Sequence, residues 1–374
     1  MEAEAFREED FEIVKRFLPA GWQAQAKQLG ALRRARGFAD AERLLRTLLI
    51  HLADGCSLRE TAVRARESGL ASVSDVALLL RLKGASEWLR WMAEGVMRSW
   101  IAKQPEAVFG AGTAVRILDG TTVQEPGARS STWRIHYSVR LSDLHCDEVH
   151  LTSAKTGESF KRFTFKAGEL GVADCGYAHV SGIGEVIGAH AEVLVRINLS
   201  ALGLTGPGGQ PFALLPWLRT LAPGQCGDVQ VWLPLQQGAV PGRVCAVRMS
   251  QTAAERARKR IRRDHQRKQR ILKPETLEAA GYVFVFTTLA ADTLSAAQVL
   301  ELYRGRWQIE LVFKRLKSLL GLGHLKKTDP AAARAWLHGK LLVAMLIEAL
   351  IDAGPRFSPW GYPTQETAQP LPLA

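Results

Sequence analysis

One stretch constrains this chain more than any other: residues 302–320, in which several cations surround a single carboxylate. Its phenolic and charged residues recur every three, four or seven positions, and they are Tyr303, Arg306, Glu310, Lys314 and Lys317. At 3.6 residues per turn, such a set falls on one face of an α-helix. The sequence therefore predicts a single amphipathic helix over this stretch, with its apolar residues turned towards a core.

Spacing alone leaves two interpretations of this helix open. A carboxylate among cations suits a site that holds a divalent metal ion beside phosphate groups, because the carboxylate binds the metal and the cations neutralise the polyanion. The plainer interpretation is an exposed amphipathic helix with ordinary Glu–Lys pairs one turn apart.

The balance of charge favours a polyanionic partner. The 374 residues include 49 Lys and Arg against 37 Asp and Glu, which gives a formal net charge of +12 and an isoelectric point near 9.7. Such an excess suits either nucleic acid or an acidic membrane surface. No run of about 18 uncharged apolar residues is present, so a membrane span is not expected.

Cysteine and histidine usage argues against a zinc site or a disulfide framework. The five cysteines are scattered without a Cys-x-x-Cys pair, and the histidines form no His-Glu-x-x-His cluster. This pattern is typical of a reduced, cytosolic protein. The acidic N-terminal sequence MEAEAFREEDFE also argues against a signal peptide.

Residues 1–110 have a helical pattern, with two short helices over 57–83 separated by a turn at Gly69. Ser57 and Glu60 have the spacing of a capping box at the start of the first. Two short helices around a glycine turn resemble a helix-turn-helix, although such pairs also occur as simple packing units. The basic residues of this region are candidate phosphate contacts, and they are Arg59, Arg64, Arg66, Arg81 and Lys83. The alternative interpretation is that they form a solvated basic face.

A second region begins near residue 114. The apolar run 114–118 leads directly into Asp119 and Gly120. A strand that ends in Asp places a carboxylate at a sheet edge, where a metal site can be built, but Asp-Gly after a strand is also a common turn. Alternating polar and apolar residues predict further strands at 133–139, 148–152 and 161–165.

A second apolar run ends in Asp174, which is followed by Cys175, Gly176 and Tyr177. Taken alone, this aspartate suits an ordinary turn. In chain order, however, a strand with Asp is followed by more strands, a second strand with Asp and a later helix with Glu310. Further strands are predicted at 190–197, 229–233, 243–249 and 282–288.

These dispersed motifs resemble those of DDE transposases from the insertion sequence 4 family. The spacing of Tyr303, Arg306, Glu310 and Lys317 is similar to the Tyr-Arg-Glu-Lys signature of that family, and Trp307 and Lys314 also match. The resemblance covers roughly residues 50–352.

The two acidic motifs carry the same resemblance. The run into Asp119, with two threonines soon after it, resembles the family's first acidic motif. The run into Asp174 resembles the second, except that Cys175 stands where the family tends to have Arg.

The resemblance implies an α/β fold. Its parts are an RNase H-like catalytic core made of a mixed sheet flanked by helices, a β-rich insertion, and an all-helical N-terminal DNA-binding domain. The expected boundaries are 1–110 for the DNA-binding domain, 111–198 for the first part of the core, 199–280 for the insertion with its basic segment, 281–353 for the second part of the core with the Glu-bearing helix, and 354–374 for a disordered tail.

The resemblance also implies residue roles. Asp119, Asp174 and Glu310 are expected to be catalytic and to bind two Mg2+ ions, with Mn2+ as a substitute. The residues expected to contact DNA are Tyr303, Arg306, Trp307, Lys314, Lys317 and Arg196.

The basic run at 255–271 has two interpretations that the sequence leaves open. As a helix or an ordered arm it would follow a DNA backbone, and otherwise it is a solvated, partly disordered face.

The function implied is that of a transposase of a bacterial insertion sequence. Such an enzyme cleaves double-stranded DNA at terminal inverted repeats and transfers the 3′-OH into target DNA, as a homodimer on the DNA. We expect a cytoplasmic protein without membrane association, located at the nucleoid when bound to DNA.

Two alternatives stay open. A metal-dependent nuclease on the same core would cleave DNA without joining ends. A truncated, catalytically inactive relative would bind the repeats and inhibit transposition. The short C-terminal sequence, rich in Pro, Thr and Gln, favours the second alternative, whereas the intact acidic residues oppose it.

Overall fold

The computed structural model describes residues 11–33, 37–101, 114–323 and 325–353. These residues divide into two compact units. Unit 1 comprises the described residues of 1–103, 124–129 and 315–374, and unit 2 comprises those of 104–123 and 130–314. The tail predicted at 354–374 lies outside the described residues.

Unit 1 is helical. Its helices are α1 (Trp22–Gln28), α2 (Ala41–Leu52), α3 (Leu58–Glu67), α4 (Asp75–Gly84) and α5 (Ser86–Ile101), followed late in the chain by a π-helix (Arg315–Leu319) and α12 (Pro330–Ala353). The predicted capping box is confirmed, because Ser57 Oγ accepts a hydrogen bond from the Glu60 amide and the Glu60 carboxylate accepts one from the Ser57 amide.

Helix α12 packs against α2, α4 and α5 in the centre of unit 1. Gly339 permits its closest approach, since a Cβ atom there would lie 2.5 Å from Leu52 Cδ1. Trp88 is fully buried on α5 and donates a hydrogen bond of 2.7 Å from Nε1 to the carbonyl oxygen of Trp22. Trp100 is also buried, so the tryptophan-rich segment at 86–101 contributes to the core of unit 1.

Unit 2 is built on one eight-stranded mixed sheet with the order β3-β2-β1-β4-β5-β8-β7-β6. The strands are β1 (Val115–Val123), β2 (Trp133–Arg140), β3 (Cys146–Ser153), β4 (Leu170–Ala173), β5 (Glu192–Arg196), β6 (Cys226–Leu235), β7 (Gly238–Arg248) and β8 (Tyr282–Thr287). Strands β1, β4 and β5 are parallel, and the remaining neighbours pair antiparallel.

Helices cover both faces of this sheet. On one face, α6 (Val180–Gly188) packs with the buried side chains of Leu118, Ala173 and Val195. On the other face, α10 (Ala296–Arg304) packs with side chains such as Val172 and Leu194. Alternate residues of β4 and β5 thus enter opposite cores, as the two-residue period of a strand requires. The other helices of the unit are α7 (Leu214–Arg219), α8 (Gln251–Arg267), α9 (Pro274–Ala279) and α11 (Trp307–Lys314).

The edge formed by β1, β2 and β3 encloses a buried arginine. The Arg116 guanidinium forms ion pairs with Asp147 at 2.8 Å, Glu148 at 2.8 Å and Glu169 at 3.1 Å. Burial raises the pKa of Asp147, and the neighbouring guanidinium opposes that rise. The single guanidinium is therefore shared by three carboxylates, and removing it would leave buried acids without their common partner.

The prediction of a single helix over 302–320 is wrong. Helix α10 ends at Arg304, Gly305 is its C-cap, and α11 begins at Trp307. A third segment, the π-helix, then begins at Arg315. Glycine carries the poorest helix propensity after proline, so a break at Gly305 is physically reasonable.

The strand predicted at 161–165 is also wrong. Ser159 caps a short 3-10 helix at Phe160–Arg162, and the apolar side chains there recur every three residues rather than every two. Phe160 and Phe163 are buried in the core with α6, and the Arg116 guanidinium lies over the ring of Phe165.

Candidate active site

The centre of the candidate site lies where the parallel strands end. The pairing of β1 with β4 stops at Leu118 and Ala173, and Ala173 pairs with Val195 on β5. The next residues of the three strands are Asp119, Asp174 and Arg196, which therefore follow one another across neighbouring strands. Strand β1 does not end at Asp119 as predicted but continues to Val123, paired with β2 alone.

Local backbone bonds orient both aspartates. The Gly120 amide donates a hydrogen bond of 2.7 Å to Asp119 Oδ1, and the Gly176 amide donates one of 2.8 Å to Asp174 Oδ1. Burial raises the pKa of Asp119 to about 7, and the negative charge of Asp174 raises it further against the hydrogen bond from Gly120. A buried carboxylate whose ionisation is opposed by a neighbouring carboxylate is characteristic of sites that receive a cation or a proton.

Arg306 joins the first aspartate to the late glutamate. Its Nη1 atom lies 3.4 Å from Asp119 Oδ2, and its Nη2 atom donates a hydrogen bond of 2.5 Å to Glu310 Oε1. The Glu310 side chain is 61% exposed, so it lies at the rim of the site rather than within it. Edge-to-face packing of Phe313 on Tyr137, with ring centres 6.0 Å apart, holds α11 against β2.

Tyr303 and Arg196 belong to the same group of residues. Tyr303 is buried at the end of α10, and burial raises the pKa of its phenol to about 12. The charges of Arg306 and Arg196 act in the opposite direction, and that of Asp174 adds to the rise. Tyr303 is therefore electrostatically coupled to both arginines and to the second aspartate.

The other predicted DNA contacts are less closely associated with the aspartates. Trp307 is half exposed at the first residue of α11, and Lys314 is exposed at its last. Lys317 lies on the π-helix and belongs to unit 1, and burial lowers its pKa. The structure therefore brings Tyr303, Arg306 and Arg196 together with the aspartates within unit 2.

Comparison with known proteins identifies the family. Residues 110–346 match the transposase DDE domain. InsL of insertion sequence element IS186A, from Escherichia coli strain K12, is 36% identical over 349 residues, which cover 91% of this chain and 93% of that protein. The chain belongs to the DDE transposase family.

More distant members of the family show the same relationship. The transposase for insertion sequence element IS421 from Escherichia coli is 35% identical over 91% of this chain and 93% of its own length. The transposase for insertion sequence element IS231F from Bacillus thuringiensis subsp. israelensis is 23% identical over 62% of this chain and 55% of its own length. The mixed sheet with helices on both faces is consistent with the α/β, RNase H-like core of a DDE transposase.

The candidate site contains a further carboxylate that the sequence did not predict. Glu158 forms an ion pair with Arg134 of β2 and lies against the glycines of both acidic motifs. A Cβ atom on Gly120 would lie 2.7 Å from Glu158 Oε1, and one on Gly176 would overlap Glu158 Oε2. The signal available in the sequence was a glycine soon after each aspartate, which indicates that another group approaches the backbone there.

A buried tyrosine lies beneath these acids. The Tyr177 hydroxyl is buried without a hydrogen-bond partner among the described residues. Burial raises its pKa well above the usual range, and the charges of Asp119, Glu158 and Asp174 act in the same direction. The phenol therefore remains protonated and offers a neutral donor beside the acidic group.

The donor chemistry suits Mg2+, which prefers carboxylate oxygens. Within the described ranges, however, no three His, Cys, Asp or Glu side chains lie together as a group that could hold a metal ion. Glu310, the third expected metal ligand, is paired with Arg306 and exposed. Among the helices of the described residues, none has the length and apolar character needed to cross a bilayer.

Proposed function

We propose that this chain is a cut-and-paste DNA transposase of a bacterial insertion sequence, similar to the insertion sequence 4 family. It would cleave phosphodiester bonds at terminal inverted repeats and transfer the 3′-OH into target DNA. The observation that carries the proposal is the position of Asp119 and Asp174 directly after the last paired residues of the parallel strands β1 and β4, with Arg306 linking Asp119 to Glu310. Transposases 35–36% identical over most of the chain support it.

In this proposal, Asp119, Asp174 and Glu310 would hold two Mg2+ ions, with Mn2+ as a substitute. When bound, the ions supply charge stabilisation at the phosphate and lower the pKa of water. The raised pKa of Asp119 supports a cation there, because a nearby positive charge removes the cost of keeping two adjacent carboxylates ionised.

The basic residues would bind the DNA backbone around the cleavage point. Arg306 is half of an ion pair with the exposed Glu310, so a phosphate group can replace that carboxylate as its partner. Tyr303 and Arg196 flank the second aspartate and would contact the neighbouring phosphate. Further contacts are proposed for Trp307, Lys314 and Lys317.

The helices of residues 1–110 are proposed as a DNA-binding domain. Gly69 has a positive φ of 66° and lies in the seven-residue connection between α3 and α4, the pair proposed as a helix-turn-helix. On α4, Val76 and Leu80 are 64% and 63% exposed, one helical turn apart. Exposed apolar side chains on a second helix suit contact with thymine methyl groups in a major groove. We also propose that the protein acts as a homodimer in the DNA complex. Within each chain, residues 111–198 and 281–353 would form the catalytic core, and residues 199–280 would form the insertion.

Cleavage of terminal-repeat DNA in Mg2+ tests this function. We expect the wild type to cut at the repeat ends and to join them to a plasmid. Glu310→Gln, Asp119→Asn and Asp174→Asn should bind the same DNA but lose cleavage by at least about a thousandfold. Glu301→Gln, which removes an exposed carboxylate from α10, is the matched control and should cut normally.

The other outcomes separate the alternatives. Cleavage without joining would identify a nuclease and overturn the transposase proposal. Specific binding to the repeats without cleavage in Mg2+ or Mn2+ would identify an inactive relative that acts as an inhibitor. Normal cleavage by Glu310→Gln would remove that residue from the catalytic set.

A further inference from the structure

Helix α8 separates its residues into a packed face and an exposed face. Ala254 is buried, and Ala257, Arg258 and Ile261 are half-buried on the same side of the helix. Arg258 Nε donates a hydrogen bond of 3.3 Å to the carbonyl oxygen of Leu277. The basic run at 255–271 is therefore largely an ordered helix attached to unit 2 along its apolar side.

The opposite side of α8 is a stripe of cations. Five exposed residues form it, and they are Arg256, Lys259, Arg260, Arg263 and Arg267. Their successive spacings of three, one, three and four residues keep them within about 100° of arc around the helix, at 3.6 residues per turn. We refer to these five residues as the cationic stripe.

The cationic stripe is poorly neutralised by the protein itself. Arg267 forms an ion pair of 2.8 Å with Asp264. Across the described part of the chain, Arg256, Lys259, Arg260 and Arg263 form no ion pair within 4.0 Å. Four neighbouring like charges on one face repel each other, so the helix gains stability from a partner with regularly spaced negative charges.

The shape and charge of the stripe favour duplex DNA over a lipid surface. Helices that lie on membranes need an exposed apolar face, whereas the apolar residues of α8 pack on the protein. The twelve residues from Arg256 to Arg267 span about 16 Å, which corresponds to about five phosphates along one strand of DNA.

We propose that α8 binds the sugar-phosphate backbone of duplex DNA through the cationic stripe, without reading its sequence. The proposal rests on the DNA-handling function above but concerns a surface outside the residues assigned to it. An exposed row of Arg and Lys on a helix neutralises phosphates and carries no base-specific information.

The test uses the full-length protein and a random-sequence duplex in a fluorescence anisotropy titration over a range of salt concentrations. The stripe variant changes Arg256, Lys259, Arg260 and Arg263 to Gln, a residue with a similar helix propensity. If each cation releases counterions from B-DNA, the slope of log affinity against log salt should become less steep by about three to four. Affinity at low salt should fall at least tenfold.

A matched control removes four charges elsewhere in unit 2. The control residues, all exposed, are changed to Gln, and they are Lys155, Lys166, Arg219 and Arg304. The proposal predicts a salt slope for this control close to that of the wild type. Circular dichroism of both variants should report unchanged helix content.

Three results would overturn the proposal. The first is a wild-type salt slope in the stripe variant, and the second is an equal loss of slope in the control. The third is wild-type DNA affinity in the stripe variant combined with weaker binding to vesicles of phosphatidylserine and phosphatidylcholine, which would assign the stripe to lipid. Because the titration uses random DNA, it is independent of cleavage at terminal repeats, and failure of the transposase assay would leave its result interpretable.

Discussion

The Glu158 carboxylate lies directly against the backbone of Gly176, so that a Cβ atom on Gly176 would overlap Glu158 Oε2 and lie 3.0 Å from Asp174 Oδ1. Glu158, which lies 16 residues before Asp174 in the chain, thus packs against the second acidic motif. Arg134 fixes that acid through an ion pair in which both side chains are largely buried. Space beside Asp174 is therefore limited by a paired carboxylate with little freedom to move.

Gly176→Ala should consequently impair catalysis more than folding. The added methyl must displace Glu158 or Asp174, and we expect cleavage to fall at least tenfold, which corresponds to about 1.4 kcal/mol in the activation barrier. Cleavage rates on terminal-repeat DNA, together with DNA affinity, measure this effect. Gly188→Ala is the control, since a Cβ atom there meets nothing within 4 Å. Equal rates for the two variants would contradict the prediction.

The pKa of Asp119 should respond to its neighbours with opposite signs. Asp174→Asn removes a negative charge and should lower this pKa from about 7, whereas Arg306→Met removes a positive charge and should raise it. Carboxyl carbon NMR of the metal-free protein measures both shifts. Shifts of the same sign in the two variants would show that the charges act indirectly.

The same pKa sets the direction of a stability change. Between about pH 4 and pH 7 the folded state binds a proton at Asp119 that the unfolded state has released, so the free energy of unfolding should fall as pH rises through this range. The difference between wild type and Asp119→Asn in urea unfolding should therefore change across that window, by at most on the order of 4 kcal/mol. A constant difference would contradict the raised pKa.

Arg116 should be more important for stability than any exposed arginine. Arg116→Met would leave Asp147, Glu148 and Glu169 without their buried partner, and we expect the free energy of unfolding to fall by about 3–5 kcal/mol. Urea unfolding measures the change. Arg219→Met, which breaks an exposed pair with Glu278, is the control and should produce a much smaller change.

Unit 1 should lose stability in acid through its buried histidines. Burial lowers the pKa of His51 and of His338 to about 4, and each Nδ1 atom donates to a carbonyl oxygen, of Cys56 and Ser86 respectively. From pH 6.5 down to 4, the unfolded state binds protons that the folded state does not, so stability falls with falling pH. His338→Gln should reduce the acid-induced fall in the melting temperature, and an unchanged pH profile would contradict this assignment.

The sequence predicts the elements of the fold better than their junctions. Most strands and the two short helices α3 and α4 have clear periodicity, and the structure confirms them. The break at Gly305 was missed because side-chain spacing continues regularly across it, although the backbone does not. Spacing reports which residues can share a face, whereas one glycine decides whether the helix is continuous.

The candidate site shows a similar division. Its aspartates come from local patterns, each an apolar run that leads into an acid, and both follow the last residues that pair between the parallel strands β1 and β4, although β1 itself continues to Val123. Glu158 lies in a segment predicted as neither strand nor helix, and its proximity arises only from the pairing of distant strands. The glycines after the aspartates indicate that some group approaches the backbone, but no local pattern identifies that group as Glu158.

The position of β8 determines what can be removed from this protein. Strand β8 lies between β5 and β7, and residues 199–281 connect to it through β6 and β7. Deleting that segment would strip one side of β8 and leave its backbone amides and carbonyls unpaired next to the buried Val285 and Phe286. An uncovered apolar edge of this kind joins to other chains, so the shortened protein should aggregate rather than yield a smaller enzyme.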